Sequence, residues 1–377
     1  MKNLAYKLYA LSFNLCAHLP LQKKKVALLS PHMASFTDSL GDMEKEMQTR
    51  GYRTVRISGA DIKPKKRSVS ALCRMVRFFT KGAYDLATSG IVYLNDNFMP
   101  MADLHFHKKA VVVQLWHAEG AFKRFGLDIG GLAEDVVERV KKGNARLDAV
   151  VCSSKGVVPV YASAFGVPEE KVYPLGSPRA DRYIQSANSA HAVEMRRTLF
   201  GDTDKKIILY APTFRDDPAE NERLLDTFDF AAFEKRFGAQ YRLILRLHPQ
   251  FGRNTRVPQG VEDYTSYPSA NDLIAACDMV ITDYSSICLD FALVDKPCLF
   301  YAFDLSRYCG ERDFYFEYKK YVPGAVAETF EALMAALETA EADRDALHRF
   351  AVFNFDTPDG KSAERIADLA IRTANSK

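Results

Sequence analysis

The stretch Met279-Val280-Ile281-Thr282-Asp283-Tyr284-Ser285-Ser286-Ile287-Cys288-Leu289-Asp290-Phe291 changes character twice. Met279 to Ile281 form a short apolar run between polar residues, the pattern of a buried strand. Asp283 to Ser286 then supply a carboxylate and hydroxyls. Ser285 and Ser286 suit helix N-cap positions, and Ile287, Leu289, Phe291, Ala292 and Leu293 carry a helix onward. Asp295-Lys296-Pro297 ends it, and Cys298-Leu299-Phe300-Tyr301 reads as the next strand. The unit is strand–loop–helix–strand, with the polar loop at a strand's carboxyl end. Ligands of open α/β sheets bind there, and a helix N-terminus favours an anion. The plainer alternative is that the serines only cap the helix.

The same rhythm extends both ways. Upstream strands are expected at Lys25–Ser30, Tyr52–Ile57, Gly90–Leu94, Lys109–Leu115, Leu147–Cys152 and Lys171–Gly176, with a helix over Asp38–Arg50. A polar stretch, Ile184 to Ala192, separates the halves. Beyond it, strands are expected at Lys206–Pro212 and Tyr241–Pro249, with helices over Asp226–Phe237, Asp272–Ala276, Glu328–Ala340 and Ser362–Ala374. Alternating β and α elements predict parallel sheets with right-handed crossovers. The fold class is α/β, with two Rossmann-like domains at 25–185 and 193–377 and a ligand cleft between them. The last helix belongs either with the second half or back on the first.

Composition is globular, with 47% hydrophobic and 26% charged residues. Fifty-one Lys and Arg against 48 Asp and Glu leave too little excess to argue for nucleic acid. Seven dispersed cysteines without a C-x-x-C pair read as reduced, mostly buried thiols of an intracellular protein. Residues 1–24 place Leu4, Leu8, Leu11, Phe13, Leu15, Leu19 and Leu21 among Lys2, Lys7 and Lys23-Lys24-Lys25. Lys7 breaks the apolar core and no small-residue cleavage site follows, so a secretory signal fits poorly. Two readings stand: an amphipathic helix lying on an anionic membrane, or an ordinary helix packed on the domain. The run Lys63-Pro64-Lys65-Lys66-Arg67 reads as solvated surface. With Arg74, Arg77 and Lys81 it offers the alternative of facing acidic lipid headgroups.

Four polar clusters follow strands. His117, in Trp116-His117-Ala118-Glu119-Gly120, could take a proton from a hydroxyl near neutral pH; the competing role is a histidine hydrogen-bonded under a loop. Arg215, in Ala211-Pro212-Thr213-Phe214-Arg215-Asp216-Asp217, could bind phosphate or pair with its acidic neighbours. His248 precedes Pro249 and could donate to a phosphate. Ser285 and Ser286 could do the same. None of the clusters has metal-ligand spacing, and there is no P-loop, G-x-G-x-x-G or G-x-S-x-G.

Taken in order, these motifs resemble the CDP-glycerol glycerophosphotransferase family of wall teichoic acid synthesis. The resemblance runs from Gln114 to Gly324. It adds Asp290-Phe291, Asp295-Lys296-Pro297, Arg312-Asp313-Phe314-Tyr315-Phe316 and Val322-Pro323-Gly324, with a faint match at Ser35 to Asp38. It implies a two-domain GT-B fold with the active site in the cleft and no required metal or other cofactor. It further implies CDP-glycerol as donor and an undecaprenyl-diphosphate-linked saccharide as acceptor, met at the cytoplasmic face of the membrane by a peripheral enzyme. Residue by residue, it makes His117 the base on the acceptor hydroxyl and sets His248 on the donor pyrophosphate. It puts Ser285 and Ser286 on the transferred phosphate, and Thr282, Arg215 and Asp290 at further donor-site positions. Many members have glycine directly after the first histidine; here it is Ala118. The departure, and a single catalytic module, resemble the primase-type branch that adds one glycerol phosphate. Alternatives are a glycerol- or ribitol-phosphate polymerase, a GT-B glycosyltransferase using a nucleotide sugar, and a catalytically silent lipid-carrier-binding scaffold.

Overall fold

The structure is a computed structural model of the 377-residue chain. It describes all residues except 1, 33–35, 60–67, 188–189, 216, 249–250, 252–256, 259, 312, 340–342 and 357. The basic run 63–67 and, among the expected motifs, Ser35, Asp216, Pro249 and Arg312 lie outside the described residues. The chain divides into two compact units, 1–181 with 355–377, and 182–354.

The first unit is built on six parallel strands: β1 (Gln22–Ser30), β2 (Arg53–Ser58), β3 (Ser89–Leu94), β4 (Val111–Gln114), β5 (Ala149–Cys152) and β6 (Val172–Pro174). Their order is β2-β1-β3-β4-β5-β6. Every residue of β3, β4 and β5 is buried, as expected of strands covered on both faces, and this is why they read as unbroken apolar runs. One face receives Leu40, Met43 and Met47 from helix Ser39–Thr49, and Ile366, Ala367 and Ala370 from helix Ser362–Ser376. Full burial of each larger aliphatic side chain contributes about 1.5–3 kcal/mol. The last helix is tied down by Asp181, which accepts the Ser362 N–H at 2.8 Å. Of the two placements open for the last helix, the structure has it back on the first unit, because its apolar stripe completes that unit's core.

Helix Lys2–Cys16 buries Tyr9, Ala10 and Phe13. Tyr9 meets Phe78 and Phe98 at centroid distances of 4.8 and 5.4 Å, and Phe13 meets Phe106 at 4.9 Å. Leu4, Leu8, Leu11 and Leu15 are 51–65% exposed, and their spacing sets them on one stripe. Among the described residues no helix is long and apolar enough to cross a membrane.

The second unit carries β7 (Lys206–Ala211), β8 (Tyr241–Leu245), β9 (Glu262–Asp263), β10 (Met279–Thr282), β11 (Cys298–Tyr301) and β12 (Val326–Ala327). All are parallel, in the order β12-β11-β10-β7-β8-β9. The two-residue edge strands β9 and β12 are too short to show any periodicity in sequence. The helix expected over 226–237 is present over Phe230–Phe237, and a separate helix, Pro218–Asp226, precedes it. Asp229 separates them: its carboxylate accepts the Ala232 N–H at 2.9 Å and starts a new helix. Strand order reverses between β1 and β3 in the first sheet and between β7 and β10 in the second, and such switch points gather ligands.

Candidate functional site

In the first unit the loops leaving β1, β3 and β4 carry the polar groups. Trp116 adopts φ +61° immediately before His117. A non-glycine residue rarely takes that conformation, and such strain concentrates at functional positions. Trp116 is held there by its own N–H to Gln114 Oε1 at 2.9 Å and by Phe125 stacked on its ring at 5.2 Å. The consequence is that His117 turns outward, with 44% of its side chain exposed. Its Nδ1 lies 3.3 Å from the Asn95 carbonyl and 3.4 Å from Asp96 Oδ2. Both neighbours only accept, so the network assigns the proton to Nδ1 and leaves the Nε2 lone pair open. Asp96 also faces His32 Nε2 at 4.0 Å. Asn95 donates to Asp38, which in turn caps helix Ser39–Thr49.

The segment after His117 is clamped. Tyr161 donates to the Ala118 carbonyl at 2.8 Å, and the Gly120 N–H donates to Ser153 Oγ at 3.0 Å. Glu119 accepts from Ser177 at 2.8 Å and pairs with Arg179 at 2.9 Å. The backbone of Ala118 is thus held through its carbonyl.

In the second unit one guanidinium organises the loops. Arg215, its side chain 3% exposed, donates to Asp304 at 2.8 and 2.9 Å, to Asp283 at 3.0 Å and to the Thr213 carbonyl at 2.6 Å. It also faces the rings of Tyr284 and Tyr308, each centroid 5.1 Å away. Asp283 accepts the N–H groups of Thr213 and Tyr284 at 2.7 and 2.6 Å. Asp304 accepts the Tyr284 hydroxyl at 2.8 Å. Burial works against the charge on Arg215, but hydrogen bonds and charge from Asp304 and Asp283 outweigh it and raise its pKa further. Burial likewise opposes ionisation of Asp304, yet Arg215 holds its carboxyl below the usual range.

Two of the expected donor-site residues are engaged within the fold. Arg215 is bound to buried carboxylates and ties together the loops after β7, β10 and β11. Thr282, fully buried, donates to the Ala211 carbonyl at 2.7 Å and fastens β10 to β7. Asp290 is buried on helix Ile287–Leu293. The capping expectation also changes. Ser286 occupies the N-cap in helical geometry without a side-chain cap, while Ser285 Oγ accepts the Ile287 N–H at 3.3 Å. Ser286 is exposed and Ser285 half-buried. His248, three residues past β8, is exposed and stacks on Phe214 at 5.0 Å. His248, Phe214, Ser285 and Ser286 thus follow the carboxyl ends of β8, β7 and β10.

Sequence reasoning named Asp283 only as a carboxylate of its loop and missed Asn95, Asp96 and Asp304. Asn95-Asp96 directly follows an apolar run and Asp304 closely follows another, so the carboxyl-end rule would have marked both. No local signal links Asp283 and Asp304 to Arg215, because the separations are 68 and 89 residues. Among the described residues no group of three or more His, Cys, Asp or Glu is arranged to hold a metal.

Two parallel six-stranded α/β units with polar groups gathered at strand carboxyl ends define a GT-B fold. A structure of the Wall Teichoic Acid Polymerase TagF shares this fold, with TM-score 0.78 and 23% identity over all of this chain and 94% of that one. The chain belongs to the CDP-Glycerol:Poly(glycerophosphate) glycerophosphotransferase family, whose profile matches residues 11–372. A Teichoic acid ribitol-phosphate primase of Bacillus spizizenii is 32% identical over 375 residues, 97% of this chain and 94% of the relative. A Teichoic acid poly(ribitol-phosphate) polymerase of the same organism is 30% identical over 379 residues, but this chain spans 60% of its length. A Teichoic acid glycerol-phosphate primase of that organism is 30% identical over 276 residues, 72% of this chain and 71% of the relative.

Proposed function

We propose that this protein transfers glycerol phosphate from CDP-glycerol to a hydroxyl of a lipid-linked saccharide, releasing CMP, in wall teichoic acid synthesis and with a single addition. The observation that carries the chemistry is His117, turned outward by strained backbone and with Nδ1 occupied by Asn95 and Asp96. Nε2 takes the acceptor hydroxyl's proton as the oxygen attacks the β-phosphorus, and the bond to the CMP oxygen breaks. Asp96 stabilises the imidazolium that forms. His248, Ser285 and Ser286 meet the charge on the donor phosphates, the contribution that dominates phosphoryl transfer. Arg215 and Thr282 hold those groups in place. A variant of TagF has been soaked with CDPG, which supports the choice of donor. Near-complete coverage of a primase supports the single addition.

The stripe of Leu4, Leu8, Leu11 and Leu15 supports a peripheral position, the helix lying on the cytoplasmic face of the membrane where a lipid-linked acceptor would be met. The test is an assay with CDP-glycerol and a lipid-linked disaccharide, counting glycerol phosphates by mass. One addition supports the primase, many support a polymerase, and nucleotide release from UDP- or GDP-sugars instead would favour a glycosyltransferase. His117→Ala should lower transfer by about 10²–10⁴-fold with an unchanged unfolding temperature; normal turnover would sink the base assignment. A second donor, CDP-ribitol, is favoured by the ribitol-phosphate primase match. The larger kcat/KM between the two donors decides.

A further inference from the structure

Trp116 is the only tryptophan of the chain and directly precedes His117, at φ +61°. In that conformation the two side chains lie against each other. Their ring centroids are 4.2 Å apart and the planes are tilted by 36°. Phe125 and Phe165 pack on the indole at 5.2 Å each, the first stacked and the second edge-on, and fix the ring. The residue is 7% exposed, and among the described residues its Nε1 has no hydrogen-bond partner. A buried donor left unpaired is unfavourable, and phenylalanine would supply an aromatic ring without it. The part of the tryptophan that the site uses is therefore the face of its ring.

We infer that Trp116 is a positioning residue acting through His117, its ring face stabilising the imidazolium that forms during transfer. The inference rests on the proposed role of His117 as base and adds a second partner for the charge. In that step the acceptor O–H bond breaks, the proton joins Nε2, and the oxygen's electron pair attacks the β-phosphorus. The imidazole ring then carries a positive charge. An aromatic face attracts a cation within about 6 Å of its centroid, and indole does so best. A neutral imidazole gains only the ordinary contact of two rings. An interaction that strengthens as the charge develops lowers the barrier, whereas one equal in both states does not. The titratable groups paired with His117 are Asp96, at Nδ1, and, through the far oxygen of that carboxylate, His32. Asp96 thus meets the charge at one nitrogen, while the indole meets it across the ring.

A single tryptophan gives a readout that leaves it in place. A protonated imidazole in contact with indole quenches its emission. Wild-type fluorescence should therefore fall as pH is lowered through protonation of His117, and His117→Gln should lose that step. Kinetics are then followed against pH with CDP-glycerol and a lipid-linked disaccharide. Trp116→Leu should lower kcat by about two- to fivefold, the size of such a contact at a partly exposed site, with KM unchanged. It should also move the acid limb of kcat to lower pH by about 0.3–0.7 unit, since an imidazolium without that face gives up its proton more readily. Trp116→Phe should fall between wild type and Trp116→Leu on both measures. Calorimetry checks that each variant is folded; if Trp116→Leu is not, Trp116→Phe and the wild-type fluorescence titration carry the test. A lowered kcat with an unmoved acid limb overturns the inference and leaves Trp116 as packing alone. A fluorescence titration identical in wild type and His117→Gln overturns it as well. Full turnover by His117→Ala is a different failure: it removes the base assignment, and this inference with it.

Discussion

Replacing Arg215 by methionine separates a residue that holds the donor loops from one that touches the donor. The wild-type guanidinium makes four hydrogen bonds of 2.6–3.0 Å, three of them to carboxylate oxygens, with 3% of its side chain exposed. Methionine would leave Asp283 without its cation and Asp304 with only the half-exposed Arg307, 3.2 Å away. Breaking a buried pair by removing one partner costs about 3–5 kcal/mol, or about 6–20 °C in the unfolding temperature of a unit this size. Arg215→Lys keeps the charge but not the fork, so its unfolding temperature should fall between those of wild type and Arg215→Met. Calorimetry and donor KM are measured on the same preparations. An unchanged unfolding temperature with a raised donor KM in Arg215→Met would refute the positioning role and restore the direct phosphate contact.

The same cluster sets an acid limit. The Asp304 carboxyl titrates below its unfolded value because Arg215 stabilises the anion against the opposing effect of burial. Its contribution is therefore complete above the ordinary aspartate pKa of about 3.9 and is lost as pH falls through the lower folded value. Wild type should lose stability on acidification through that window, and Asp304→Asn should show a flatter dependence there.

Asp96→Asn should leave the fold and KM alone and lower kcat between about fivefold and a thousandfold, from a charge pair worth about 1–4 kcal/mol near 4 Å; partial exposure favours the lower end, and a wild-type kcat would remove Asp96 from the mechanism. Thr282→Val should cost about 0.5–1.5 kcal/mol for the lost hydrogen bond, plus any penalty for the unpaired Ala211 carbonyl, with donor KM unchanged; a raised KM would return its hydroxyl to the phosphate. Gly324→Ala should yield little folded protein, because a Cβ there would sit 1.9 Å from the Cys298 carbonyl oxygen, beyond ordinary overpacking costs of about 1–3 kcal/mol. Normal calorimetric stability would show that the Val322-Pro323-Gly324 turn yields.

Much of this was legible in the sequence. Buried parallel strands such as Val111–Gln114 and Met279–Thr282 are apolar because both faces are covered, and that periodicity survives without tertiary information. His117 stood out because it follows such a run. What stayed hidden depends on pairing across the sheet. The separation of Arg215 from Asp283 and Asp304 is set by strand order, which no local pattern reports. The start of helix Phe230–Phe237 at Asp229, and not at Asp226, was in principle visible, since aspartate is a strong N-cap.

The motif Thr282-Asp283-Tyr284-Ser285-Ser286 owes most of its recognisable spacing to scaffold chemistry. Thr282 clips β10 to β7, Asp283 gathers two backbone N–H groups and Arg215, and Tyr284 spans to Asp304. Each of these side chains is at least 97% buried or has its polar atom bonded within the fold. Only Ser285 and Ser286 come out toward solvent. A loop that must hold hydroxyls against a multiply charged ligand cannot rely on the ligand for its shape, since repulsion and desolvation would distort it before binding. Buried, mutually paired groups supply that shape in advance, which is the condition for electrostatic stabilisation without reorganisation. On the proposed function, the anion site is the exposed rim of the loop, the two serines together with His248, and Arg215, Thr282 and Asp283 give that rim its fixed geometry.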